Sequence, residues 1–139
     1  MRTIFFTLLM IFAGTVVASA QQKHKLTINI TDIQVVKGSL LVAVCDKDNF
    51  MKGNVKSGIA PVNGGKVTVE IADLPAGDYA VMLFHDENGN YQVDMDESGI
   101  PMEGVGFSGV DLFVGMPTFE ECKFTLSESL SMTIKLLYF

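Results

Sequence analysis

The sequence predicts an all-β, single-domain β-sandwich of about seven strands, immunoglobulin-like or transthyretin-like. Three observations carry that prediction. The dominant hydrophobic period is two. The segments that show it are short and are separated by turns rich in Gly, Pro and Asn. No stretch of a dozen residues holds a sustained helical stripe, and six or seven short strands at this spacing suit a sandwich. The 139 residues are one domain's length.

The chain opens with Arg2 and an apolar run over residues 4–18, closed by Ala18-Ser19-Ala20. A positive start, a short apolar run and a small-x-small site form a secretory signal peptide. The expected domain division is therefore a leader over 1–20 and a β-sandwich over 21–139. The run is short for a membrane span, which needs about 20 residues. The expected location is exported, periplasmic or extracellular, with no stable membrane insertion after cleavage.

In the remaining chain, Leu26, Ile28 and Ile30 alternate with Thr27, Asn29 and Thr31. Val67, Val69 and Ile71 alternate with Thr68 and Glu70, and Leu130, Met132, Ile134 and Leu136 alternate with Ser131, Thr133 and Lys135. Each reads as a strand with one buried face. Ser39–Cys45 and Tyr79–Phe84 are continuous apolar runs, as expected of central strands covered on both faces. Lys123–Leu126 is a further short strand, and Asp48–Met51 starts a short helix or a turn. Lys37-Gly38, Asn63-Gly64-Gly65 and Leu74-Pro75-Ala76-Gly77-Asp78 supply turn residues between the strands.

Charge limits the function classes. The formal net charge is -6, and loss of the leader removes Arg2 and makes the balance more acidic. Phosphate binding depends on Lys and Arg clusters, which are absent, so a nucleic-acid partner is not expected. No Lys or Arg occurs between Lys66 and Lys123, while Asp86, Glu87, Asp94, Asp96, Glu97, Glu103, Asp111, Glu120 and Glu121 all fall there. Long loops in compact domains are functional or disordered.

The sharpest pattern runs from Asp86 to Glu97. With Asp86 at position 1 of a twelve-residue calcium loop, Asn88 takes position 3, Asn90 position 5, Gln92 position 7, Asp94 position 9 and Glu97 position 12. Calcium takes hard oxygen ligands, and alternating Asp and Asn side chains in a tight turn supply them. Position 6, normally Gly, is Tyr91. The preceding segment reads as strand, so the expected site is a strand–loop calcium site without flanking helices. Asp96 is an alternative to Glu97; for Glu103 a purely structural place in the loop cover is preferred over a role as non-local ligand. A plain polar turn is the competing reading.

His85 stands at a strand end before the loop. A packed histidine that hydrogen-bonds the loop is preferred over a catalytic one. Cys45 and Cys122 lie in no CxxC motif. An exported setting permits a disulfide between them, and two buried thiols are the equal alternative. Gly99–Ser108 reads as a shaped loop folding back beside the acidic turn, with Phe107 anchored between glycines and Ile100 held extended by Pro101.

Leu74-Pro75-x-Gly77-x-Tyr79-Ala80, His85-Asp86-x-Asn88-x-Asn90, Asp94, Gly99-Ile100-Pro101-x-Glu103-Gly104-x-Gly106-Phe107-Ser108 and Pro117-x-Phe119-Glu120 resemble a family of uncharacterised secreted bacterial proteins, the domain-of-unknown-function family numbered 2141. The resemblance covers Leu26 to Tyr138. It implies a single β-rich domain behind a signal peptide and no known activity. The family pattern carries Gly at the position of Tyr91.

The function expected from the residues is an exported, non-enzymatic module of the cell envelope whose acidic loop binds calcium, with an envelope protein or glycan as partner. Two alternatives belong to other classes. One is metal-independent recognition of protein or glycan through Tyr91, Phe107, Phe113 and Phe119, since aromatic anchors are common at interfaces. The other is a hydrolase using His85 with Glu103 or Asp94, which would need an apolar cleft to separate the carboxyl pKa values.

Overall fold

A computed structural model describes residues 20–139. The expected leader falls almost entirely on residues 1–19 and lies outside the described residues. Among the described residues eight strands form two sheets, one more strand than the sequence predicts.

The first sheet has the order β4-β1-β8. Its centre is β1 (Lys23–Thr31), where His24, Leu26, Ile28 and Ile30 point inward and are buried. β4 (Val67–Pro75) pairs antiparallel to β1, and β8 (Leu130–Lys135) pairs parallel to it. The register of β4 slips between His24 and Leu26, where Asp73 adopts φ 59°. That bulge lets the strand run on to Pro75, so Leu74 and Pro75 belong to β4 rather than to a turn. Ala76 alone separates β4 from β5 (Gly77–Asp86), and here the chain crosses to the second sheet. The Tyr79 hydroxyl fixes this corner by donating to the Pro75 carbonyl at 2.7 Å.

The second sheet has the order β3-β2-β5-β6, with β7 also paired to β5. β2 (Ser39–Cys45) and β5 sit at its centre, as their apolar runs predict. β3 (Lys56–Pro61) is an edge strand that the sequence reading misses, because Gly58 and Pro61 interrupt its alternation. β6 (Val105–Phe107) pairs antiparallel to β5, so part of the expected shaped loop is a strand. β7 (Phe124–Leu126) matches the expected short strand. Asp48–Met51 forms turns, not a helix.

Side chains alternate across the second sheet. Leu40, Val42, Val44, Tyr79, Val81 and Leu83 face the first sheet and join Leu26, Ile28, Ile30, Leu74 and Ile134 in the inner core. Ala80, Met82 and Phe84 face the other way. There the chain from 105 to 122 lays Val105, Phe107, Phe119 and Cys122 over them as a second, outer core. Burying one such side chain is worth ~1.5–3 kcal/mol.

The outer layer is pinned by polar contacts. Ser108 Oγ accepts the Val81 N–H at 2.9 Å and donates to the Cys122 carbonyl at 2.6 Å. Helix α1 (Phe119–Cys122) is one turn long and carries a capping box. Thr118 Oγ1 accepts the Glu121 N–H at 3.4 Å, and Glu121 Oε2 accepts the Thr118 N–H at 2.7 Å. Cys45 and Cys122 are separate buried thiols, and the thiol of Cys45 donates to the Gly53 carbonyl at 3.1 Å. Among the described residues no helix is long and apolar enough to cross a membrane.

Candidate functional site

The acidic loop leaves the end of β5, and its first residue is already interior: Asp86 is 1 % exposed. An isolated carboxylate there would be costly, and backbone N–H groups compensate it. Oδ1 accepts from Gly89 at 2.9 Å and Asn90 at 3.2 Å, and Oδ2 accepts from Tyr91 at 3.0 Å. The loop thus wraps around the Asp86 carboxylate. Two further turns repeat the motif: Asn88 Oδ1 accepts the Asn90 N–H at 3.1 Å, and Asn90 Oδ1 accepts the Gln92 N–H at 3.0 Å.

This winding requires a left-handed residue at Tyr91, whose φ is 59°. The position is the one that Gly fills in the twelve-residue calcium pattern. An L-residue there costs roughly 1–2 kcal/mol. Tyr91 is largely exposed, so its side chain recovers little by packing.

Asn88, Asn90 and Asp94 come together. The Asn88 amide nitrogen lies 2.6 Å from Asp94 Oδ2, and the Asn90 amide nitrogen 2.8 Å from Asp94 Oδ1. Amide hydrogens therefore supply the positive charge facing Asp94. Gln92 brings its backbone N–H to Asn90, while its side chain is exposed.

Glu97 behaves differently from its place in the linear pattern. Asp96 Oδ1 accepts from Ser98 at 2.8 Å and Ile100 at 2.9 Å, closing a tight second turn in which Glu97 is exposed. Met95 and Pro101 pair across the base of that turn, which folds the chain back on itself. The carboxylate returned to the loop is that of Glu103, which is 5 % exposed. Its Oε1 accepts the Glu87 N–H at 2.9 Å and its Oε2 the Asp94 N–H at 3.3 Å. Glu103 thus closes the loop where a calcium-loop helix would bring position 12.

Lys37, Glu87, Asn88, Asp94, Met102 and Glu103 border a hollow of about 330 Å³. The Lys37 ammonium stands 3.4 Å from Glu87 Oε2. Among the described residues no group of three or more His, Cys, Asp or Glu side chains is placed to hold a metal ion. Any cation site here therefore leans on amide and backbone oxygens beside Asp94 and Glu103.

His85 is fully buried. Its Nε2 lies 2.7 Å from the Lys37 carbonyl, which only accepts, so Nε2 carries the hydrogen. Nδ1 lies 3.2 Å from the Tyr138 hydroxyl, whose oxygen also accepts the Gln34 N–H at 3.2 Å. Close backbone approach makes this cluster possible. A Cβ on Gly104 would meet the Tyr138 ring at 2.7 Å, and one on Gly38, at φ 68°, would meet the Asp86 carbonyl oxygen. Of the four aromatics singled out for recognition, Phe107 and Phe119 belong to the outer core, Phe113 is half-buried and Tyr91 alone is largely exposed.

A family model described as "Uncharacterized protein conserved in bacteria (DUF2141)" matches residues 28–135. No curated protein and no solved structure matches the chain.

Proposed function

The chain belongs to the bacterial family DUF2141, and from that premise we propose that it is an exported, non-enzymatic binding or accessory module of the cell envelope whose Asp86–Glu103 loop takes up calcium. The observation that carries the reading is the convergence of the Asn88, Asn90 and Asp94 side chains at 2.6 and 2.8 Å. These distances are amide-to-carboxylate hydrogen bonds, and they gather the residues at positions 3, 5 and 9 of the calcium pattern around one carboxylate. Asp94, the Asn88 and Asn90 amide oxygens, the Gln92 carbonyl and Glu103 would hold the ion, with Asp86 organising the backbone around them. Glu97 has no part in this ligand set. The ion would replace the amide hydrogens as the charge facing Asp94.

The non-enzymatic part draws support from His85, which has no exposed surface and both ring nitrogens engaged. A general base must reach a substrate proton directly or through one water. The partner is an envelope protein or glycan.

Thermal melting with calcium and with chelator tests the metal assignment. Calcium at saturating concentration is expected to raise the midpoint by about 5 °C or more, because a ligand that binds only the folded state stabilises it by mass action. Asp94→Ala is expected to remain folded and lose that response. An unchanged midpoint at millimolar calcium, or a full response in Asp94→Ala, overturns the assignment.

A further inference from the structure

We propose that the outward face of the second sheet carries a binding groove for a single hydrocarbon chain bearing a cationic head group. The groove shares one wall with the ion loop, through Val93, Met95 and Pro101, but its floor is the sheet face and its ligand is not the ion. The groove holds about 480 Å³, within the ~300–1,000 Å³ usual for small-molecule sites.

The register explains why a groove exists there. Across the sheet, Ile59, Leu41, Phe84 and Val105 form one row of neighbours, and Ser57, Ala43, Met82 and Phe107 form the next. The outer core covers the β5–β6 side of both rows. On the β2–β3 side, Ala43 and Ser57 are small, and Leu41 and Ile59 lack a covering layer, so the floor dips. Phe113 and Met116 rise as one wall, Met51 and Asn54 close one end, and Val93, Met95 and Pro101 close the other.

The lining selects the ligand. Among the described residues, Asn54 and Ser57 are the only polar side chains that line it. β2 is hydrogen-bonded on both sides, so its backbone has nothing to offer a ligand lying on the face. A peptide laid here would leave its own N–H and C=O groups without partners, which is costly in an apolar site. A hydrocarbon chain has no such groups. Met51, Met82, Met95 and Met116 all line the groove, and methionine adapts to flexible apolar shapes.

Charge sets the head group and the direction. The Val93–Pro101 end is built from the acidic loop, with Asp96 and Glu97 exposed beside Met95. At the other end Lys52 and Asp48 are both exposed near Met51 and offset each other, while Lys56 turns away to donate to the Ala72 carbonyl at 2.7 Å. The field therefore draws a cationic head toward the loop and leaves the tail toward Met51.

The test uses three amphiphiles of one chain length, dodecyltrimethylammonium, dodecyl maltoside and dodecyl sulfate. Each is titrated below its micelle concentration in chelator-treated buffer and followed by calorimetry. One-to-one binding of the cation is expected, at least about tenfold tighter than the sulfate. Ser57→Phe, which fills the floor without changing charge, is expected to abolish binding while the protein stays folded. Methionine-methyl NMR of the unaltered protein is expected to show shifts at Met82 and Met95 and none at Met132 on the other sheet. No saturable binding of any amphiphile, equal affinity for cation and sulfate, full affinity in a folded Ser57→Phe, or methyl shifts confined to Met132 overturns the proposal.

Discussion

The two faces of the central sheet are covered in different ways. On the inner face, a regular sheet meets a regular sheet, and Leu26, Ile28, Ile30, Leu40 and Val44 are fully buried. On the outer face, one irregular segment drapes over Met82 and Phe84, and Phe107 and Phe119 keep 7 and 8 % exposure. The first surface is a product of period-two alternation. The second depends on individual fastenings such as Ser108, the Thr118–Glu121 cap and the Asp86 wrap. Stability should therefore reside in the first and adaptability in the second.

The largest expected effect is a direct contrast between the faces. Ile28→Ala is expected to lower unfolding free energy by about 3–4 kcal/mol, and Val93→Ala, half-buried on the outer side, by about 1 kcal/mol. Urea unfolding measures both, and equal losses would break the contrast. Next comes Asp86→Ala, which strands three N–H groups that point inward. A loss of about 2–3 kcal/mol is expected, and a loss under about 0.5 kcal/mol would mean that the wrap is not a fastening.

A smaller effect of opposite sign is expected at Tyr91. Replacement by Gly relieves the left-handed backbone at the cost of a freer unfolded chain, for a net gain of about 0.5 kcal/mol. A net loss would show that the tyrosine side chain contributes where the outer layer looks open. The last effect appears only in alkali. Burial, and then the nearby Glu121, push the Cys122 thiol from 9.0 up to about 11. Burial and then Asp46 push Cys45 upward too. A raised thiol pKa leaves stability intact below pH 9 and removes it as pH climbs toward 11, because the unfolded chain ionises first. A urea midpoint that stays flat across that window would place the thiols in contact with solvent.

How much of this was legible in the sequence follows the same division. Strands β1, β2, β5 and β8 were readable because a buried face imposes its own period. β3 was not, because an edge strand needs only one partner and tolerates Gly58 and Pro61. The candidate loop was readable at Asp86, Asn88, Asn90 and Asp94, which act through neighbours a few residues away. Glu97 stands exposed, away from Asp94, because a calcium-type spacing assumes that a helix follows. The Asp96 turn and the Met95–Pro101 pairing send the chain back instead, and Glu103 arrives. One missed element did carry a signal: Thr118 followed three residues later by Glu121 is the capping-box spacing. The burial of His85 against Tyr138 carried none, since the contact spans a separation that no local pattern encodes.

The parallel pairing of β1 with β8 also bears on mechanics. Leu26 through Thr31 lie opposite Leu130 through Lys135 in unbroken register. Traction on the leading end of β1 and the trailing end of β8 would slide these strands lengthwise past each other. Every bond in that ladder would then bear the load at once, where an antiparallel hairpin pulled from its ends opens one bond at a time. A domain anchored at one end and tugged at the other gains its grip from this arrangement.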